Sequence, residues 1–283
     1  MGTRASFSKN PCRWYNDFWL PNFAPPRLAV TPNEGHEALA RLCSTIDNLR
    51  VVTQNIDALH QSTSTSWHSH DRLIEAHGRV GLYKCASDPE DGCPYSEHDS
   101  IGPGSFSTAL QKQLGHNVGK NKLPKLRQVP LCPSCSNPCM PQALLFDEDY
   151  TDHEFYQFDR LQEWLEEAEV VVFVGTSFAV TLTTLAMDEA RDRHLPIFNF
   201  NIDGEDRSKP TLDWSNIEGP AEVRLPELVA LTEKIASKAR KDENQANNQT
   251  AEKRAFYNLN DRSPSKKSVK TNSPADASDS KPS

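Results

Sequence analysis

No apolar run in this 283-residue chain approaches the length that spans a bilayer; the longest, Val170–Val174, reads as a strand. A signal-peptide pattern is missing from the N-terminus, although Met1-Gly2-Thr3-Arg4-Ala5-Ser6 fits the myristoylation pattern. Internal repeats are missing too. Apolar residues are scarce, 36% against 25% charged, and the shortage is greatest from Lys238 onward, where the text turns Ser-, Asn-, Pro- and Lys-rich. A segment of that kind cannot bury enough apolar surface to offset its ordering entropy, which predicts a disordered tail over 238–283. The tail holds 10 of the 31 Lys/Arg and 6 of the 39 Asp/Glu, leaving 21 against 33 and a net charge of −12 for residues 1–237. A surface that acidic repels phosphate backbones, so direct nucleic-acid binding by the folded part is disfavoured and a basic, lysine-bearing partner suits it. Disulfides are disfavoured as well. Seven cysteines at uneven spacing read as metal ligands in a reducing compartment. Nucleus and cytoplasm both fit, with Lys266-Lys267-Ser268-Val269-Lys270 as a weak nuclear signal.

Residues 1–30 are rich in Pro and aromatics (Trp14, Tyr15, Phe18, Trp19, Phe23) and read either as a short helix around Pro11–Trp19 or as an irregular packed segment. Pro32 and Asn33 open a helix whose Ala38, Leu39, Leu42, Cys43 and Ile46 share one face. Strands are predicted at Leu49–Gln54, Val80–Lys84, Glu169–Val174, Ile197–Phe200 and Ala221–Leu225. Helices are predicted at Tyr156–Glu167, from after Ser177 to about His194, and at Pro226–Ala239; residues 94–131 read as an insertion. Strands alternating with helices give an α/β class with a doubly wound parallel sheet, and the apolar run before Gly175 reads as a strand buried on both faces.

Ligands of such sheets bind at the carboxyl ends of the strands. Thr53–His60 follows one predicted strand and Gly175-Thr176-Ser177 follows another. A glycine lets backbone approach a ligand, and two hydroxyls beside helix N-terminal N–H groups suit phosphate; on those three residues alone a plain helix cap is the simpler reading. Cys85, Cys93, Cys132 and Cys135 read as a structural Zn²⁺ site: Cys132-Pro133-Ser134-Cys135 is a tight knuckle and Cys85/Cys93 a looser pair. Cys139 is an alternative ligand, and Cys12 and Cys43 read as buried free thiols.

The series Thr53-Gln54-Asn55-Ile56-Asp57-x-Leu59-His60, Glu75-x-His77-Gly78, Gly175-Thr176-Ser177 and Asn199-Phe200-Asn201 resembles, in order and rough spacing, the sirtuins, NAD-dependent protein-lysine deacylases. Pro32-Asn33-x-x-His36-x-Ala38-Leu39 and Gly219-Pro220-Ala221 with Leu225-Pro226-x-Leu228 extend the resemblance to about residues 10–235. It implies a Rossmann-like domain in two parts, 1–84 and 141–237, interrupted by a zinc-binding module at 85–140, and it implies NAD and Zn²⁺. By the same resemblance Gln54 contacts the nicotinamide ribose, Asn55 holds the ribose or its water, and Asp57 binds the nicotinamide amide. His77 is then the general base, a role suited to a side chain titrating near neutrality. Gly175, Thr176 and Ser177 bind the phosphates, and Asn201 the adenosine ribose. Ala143, Leu144 and Phe146 fall in the segment that lines the acyl-lysine tunnel and pairs with an extended peptide. The implied partner is an acetyl-lysine protein or peptide, a histone among the candidates.

The chain also departs from the family pattern. Ala143 and Leu144 replace a pair of valines, and Asp147 replaces a glycine, which would be strained if that position needs a positive φ. The upstream strand, Gly-Ala-Gly-x-Ser loop and Pro-Asp-Phe-Arg segment are not in this sequence, so the sheet is expected to lack its first strand. No Tyr-x-x-Arg pair of the desuccinylating members follows Asn10-Pro11, which predicts short neutral acyl groups, chiefly acetyl. The rival reading is a catalytically impaired acyl-lysine-binding module.

Overall fold

The computed structural model describes residues 1–23, 31–63, 67, 71–115, 125–202 and 214–260, with side chains as far as 254. The chain divides into two units, 1–231 and 232–283.

The first unit is α/β, as its alternating pattern predicts. Strand β1 (Val51–Thr53) pairs in parallel with β2 (Leu73–Glu75). Strands β5 (Val171–Val174), β6 (Ile197–Asn201) and β7 (Ser215–Glu218) form a second parallel sheet in the order β5-β6-β7. Between these sheets in sequence lies an antiparallel pair, β3 (Gly78–Cys85) and β4 (Cys139–Ala143). Among the described residues no strand joins β1 to β5. The run Glu169–Val174 is not buried on both faces: Val172 is 46% exposed while Val171 and Phe173 point into the core.

Helix α4 (Glu34–Thr45) starts where its sequence says it should. The Asn33 side chain accepts from the Gly35 and His36 N–H groups, and His36 Nδ1 accepts from the Asn33 N–H, which closes a capping box. Its Ala38 and Leu42 pack with Phe200, Leu225 and Val229. Helix α7 (Phe158–Glu166) buries Leu161 and Trp164 against Ile74 and Leu182, the last from α8 (Thr181–Asp192).

The N-terminal aromatics are helical. Helices α1 (Arg4–Lys9), α2 (Pro11–Trp14) and α3 (Leu20–Phe23) run with a π-helical turn, Tyr15–Trp19, between the last two. Trp14 stacks on Trp19 at 5.8 Å and meets Phe7 edge-on at 5.4 Å, a geometry that adds to the area these rings bury. Tyr15 donates from its hydroxyl to the Cys139 carbonyl at 2.8 Å. Residues 7–20 thus share one core with Tyr83, Cys85, Cys93, Cys132 and Met140. They pack on the cysteine-bearing module rather than with β1 and β2, which differs from the division expected at 84/85. The insertion contributes two short helices, α5 (Pro94–Glu97) and α6 (Thr108–Leu114), and residues 116–124 lie outside the described residues.

Two predicted elements are corrected. Ala221–Leu225 is not a strand: it opens helix α9 (Ala221–Asn260), and the last strand is β7, six residues earlier at its start. Val223, Leu225 and Val229 fit both periods, and burial of Leu225 and Val229 beside α4 selects the helical one. The second unit, expected to be disordered from 238, is helical through Asn260 with its described side chains mostly exposed. Its Ala, Lys, Arg, Gln and Glu are strong helix formers, and that propensity acts without an apolar face to bury. Residues 261–283, with the basic run Lys266–Lys270, lie outside the described residues.

Candidate functional site

Gln54, Asn55 and Asp57 leave the carboxyl end of β1, and His77 that of β2. Gly175, Thr176 and Ser177 leave the carboxyl end of β5, and Asn201 ends β6. Each group therefore leaves the carboxyl edge of its own parallel sheet, the edge at which such sheets bind ligands. The Thr53 hydroxyl accepts from the Asn55 N–H at 3.1 Å, and Asp57 Oδ1 accepts from the Leu59 N–H at 3.0 Å, so both loop turns are held by their own side chains. Asn201 Nδ2 donates to the Thr176 carbonyl at 2.9 Å and ties the β5 and β6 loops together. Gly175 has φ +59 with open space where a Cβ would stand, leaving its backbone approachable. Two non-glycine residues with positive φ, Ala58 and Phe178, sit in these same loops. Helix α8 begins only at Thr181 with Val180 as its cap, so helix N-terminal donors do not stand at Thr176 and Ser177 as expected.

His77 is half-buried at the turn between β2 and β3. Gly78 has φ +91, and a Cβ there would lie 2.1 Å from the Gln142 carbonyl oxygen, so the His77-Gly78 pair requires glycine second. The His77 carbonyl accepts from the Leu144 N–H at 2.9 Å, and the Ile56 carbonyl accepts from the Val80 N–H at 2.8 Å. These two bonds bring the β1 loop, the His77 turn and the segment after β4 together. Burial lowers the His77 pKa, opposed by a hydrogen bond to the Gln54 backbone. The ring is therefore neutral and basic at physiological pH, the state a general base requires.

The segment after β4 holds Ala143 buried, Leu144 half-buried and Phe146 almost wholly exposed. Its backbone donors are already engaged: Leu144 to His77, Leu145 to Glu148 Oε2 at 2.9 Å, and Phe146 to the Gly2 carbonyl at 3.0 Å. A peptide adding here would pair with carbonyls or displace Gly2. Glu148 is anchored by Lys84, whose Nζ lies 2.7 and 2.8 Å from its two oxygens, by the Tyr156 hydroxyl on Lys84, and by Arg4 at 3.2 Å. Lys84 and Glu148 are both about 1% exposed in their side chains, so each neutralises a charge that would otherwise be costly. Asp147, expected to be strained in place of glycine, has no positive φ. Its carboxylate instead accepts from the Arg4 and Ala5 N–H groups at 2.6 and 3.0 Å, the first two donors of α1, beside the Thr3 N-cap.

Sequence spacing gave no sign of the lysine–glutamate pair, of the Asp147 bonds to the start of α1, or of the Tyr150 hydroxyl that stands 3.0 Å from His77 Nε2. Each joins residues many positions apart.

The four predicted zinc ligands converge. The sulfurs of Cys85, Cys93, Cys132 and Cys135 all lie within 4.8 Å of one another, with Cys85–Cys135 at 3.4 Å and Cys93–Cys132 at 3.6 Å. A tetrahedral Zn²⁺ with Zn–S bonds of about 2.3 Å places its sulfurs about 3.8 Å apart, so the donor set fits the ion. Burial pushes the Cys85 thiol up to about 12, whereas backbone and thiol hydrogen bonds overcome burial at Cys135 and bring it to about 7. A cation would hold all four as thiolates. Cys139 is buried in β4 outside this cluster; Cys43 is buried and Cys12 partly so, both as free thiols.

Two further histidines are kept neutral. Burial lowers His60 to about 4, helped by His36 and opposed by Asp57; burial lowers His153 to about 4, helped by Lys84. The unfolded chain protonates both near 6.5. Because the folded values are depressed, each contributes stability that is fully present above about 6.5 and is lost as pH falls through about 4, about 3 kcal/mol apiece. Urea midpoints should therefore drop steeply between pH 6.5 and 4.5; an unchanged midpoint over that window would contradict the burial argument.

The Sir2 family pattern matches residues 1–182. The NAD-dependent deacetylase sir2E of Dictyostelium discoideum is 34% identical over 233 residues, covering 80% of this chain and 62% of that protein. The chain thus spans somewhat under two thirds of that relative's length. The mitochondrial NAD-dependent protein deacylase sirtuin-5B of Xenopus laevis is 26% identical over 81% of this chain and 71% of its own. Among solved structures, a Sir2 homologue in complex with NAD matches with a TM-score of 0.59 at 23% identity, over 83% of this chain and 77% of that one. Sir2Af2 bound to a myristoylated histone peptide matches with 0.56 at 21%, over 83% and 84%. At those identities the structures share a fold with this chain, a Rossmann-like α/β arrangement.

Proposed function

This chain belongs to the Sir2 family, and we propose that it serves NAD-dependent removal of acetyl groups from protein lysine. The observation that carries the reading is the convergence of the Gln54–Asp57 loop, the His77 turn and the 143–148 segment, linked by the Val80–Ile56 and Leu144–His77 hydrogen bonds. NAD, when bound, supplies the ADP-ribose that accepts the acetyl group and nicotinamide as the leaving group. Gln54, Asn55 and Asp57 orient the nicotinamide half; Gly175, Thr176, Ser177 and Asn201 hold the phosphate and adenosine half. The His77 imidazole accepts a proton from a ribose hydroxyl, and its burial keeps the ring neutral at neutral pH. Leu144 and Phe146 flank the acyl-lysine, with the ion-paired Glu148 holding their segment rigid.

The acidic charge of residues 1–237 complements a basic lysine-bearing peptide, histone tails included. Among the described residues no helix is long and apolar enough to cross a membrane. The test is nicotinamide release from NAD in the presence of acetyl-lysine and succinyl-lysine peptides of one sequence. Acetyl should be the faster substrate. A faster succinyl peptide would overturn the acyl preference, and peptide binding with no nicotinamide release from the zinc-loaded protein would favour the binding-module alternative.

A further inference from the structure

We propose that Tyr150 is a positioning residue for His77, its hydroxyl holding the imidazole in the tautomer that leaves Nε2 as the proton-accepting atom. The inference rests on the reading of His77 as the base, but its test does not depend on turnover. The Tyr150 hydroxyl lies 3.0 Å from His77 Nε2, and the two rings are stacked at 28° with centroids 5.9 Å apart. Tyr150 in turn stacks on Phe158, the first residue of α7, at 15° and 5.6 Å. The imidazole is thereby braced through one aromatic ring against a helix.

The direction of the hydrogen bond follows from counting protons. A neutral imidazole carries one N–H. Among the described residues the Tyr150 hydroxyl has no other hydrogen-bond partner, so its O–H donates to Nε2. The single N–H is then on Nδ1, and the Tyr150 bond gives way to a ribose hydroxyl when one is bound. This places the basic nitrogen and the N–H on opposite sides of the ring. The ionisable side chains nearby in sequence are otherwise engaged: Glu75 pairs with Arg79, and the Asp57 carboxylate accepts from Leu59. Among the described residues the Tyr150 hydroxyl is the side-chain group hydrogen-bonded to the His77 ring.

A donor to the neutral form lowers the pKa of a base, so removing it raises the pKa. Tyr150→Phe keeps the stacked ring and deletes only the hydroxyl. In long-range ¹H–¹⁵N spectra of the histidines in the full chain, His77 of the unsubstituted protein should be the Nδ1–H tautomer when neutral. In Tyr150→Phe its pKa should rise by about half to one pH unit, the shift to which one hydrogen bond converts at 1.36 kcal/mol per unit. The acid limb of the kcat/KM profile should move by the same amount. An unmoved pKa in a folded variant, or an Nε2–H tautomer in the unsubstituted protein, would overturn the proposal. If Tyr150→Phe fails to fold, the tautomer of the unsubstituted protein decides alone. A shifted His77 in a protein without turnover would keep the Tyr150–His77 link and remove the deacetylase reading; turnover with an unmoved His77 would do the reverse.

Discussion

Replacing His77 by alanine is expected to lower nicotinamide release by roughly 10²–10⁴-fold, the range that positioned general-base catalysis contributes. The substitution removes the proton acceptor and its bond to Tyr150, while the His77 carbonyl that holds Leu144 belongs to the backbone and stays. Zinc content should be unchanged, because the four sulfurs belong to β3, the insertion and the knuckle rather than to this turn. NAD affinity should survive as well, since the phosphate and adenosine half of the proposed site is built on β5 and β6. The loss should therefore appear in kcat rather than in NAD binding. A variant that retains more than about a tenth of the turnover would remove His77 from the base role.

Removing zinc should have the largest effect on the fold. Cys85, Cys93 and Cys132 are part of the same core as Phe7, Trp14, Tyr15, Trp19 and Tyr83. Structural zinc sites contribute apparent binding free energies of about 10–16 kcal/mol, against a net stability of about 5–15 kcal/mol for a typical domain. Chelation, or Cys132→Ser, is expected to release the ion and abolish the near-ultraviolet signal of the packed tryptophans and tyrosines. The 143–148 segment should loosen with it, because β4 runs directly from the knuckle into Ala143. A chelated protein with an unaltered aromatic spectrum and melting temperature would show that the thiols alone sustain the core.

What the sequence revealed was local. The start of α4 was legible because Asn33 stands in front of residues spaced for one helical face, and the β1, β5 and β6 runs because they are short, apolar and β-branched. The zinc ligands were legible because half of them lie in one knuckle; the structure gathers those four sulfurs and leaves Cys139, the alternative ligand, in β4 outside the cluster. What escaped was set by tertiary contact. Ala221–Leu225 is apolar enough for a strand, and only its packing beside α4 makes it helical. Residues 238–260 lack an apolar face, and composition alone did not distinguish a solvated helix from a disordered tail. Tyr150 looks like any turn residue until the fold places its hydroxyl on His77, 73 positions away. Asp147 looked like a strained stand-in for glycine, and the fold makes its carboxylate the acceptor for the first two N–H groups of α1.

On the proposed function, the loops after β1, β5 and β6 bind NAD although no strand joins β1 to β5 among the described residues. Calorimetric titration of NAD into the zinc-loaded chain tests it most directly, with zinc measured on the same sample. The account expects saturable binding of one NAD per chain, weakened by Asp57→Ala. A folded, zinc-loaded protein that takes up no NAD would contradict it.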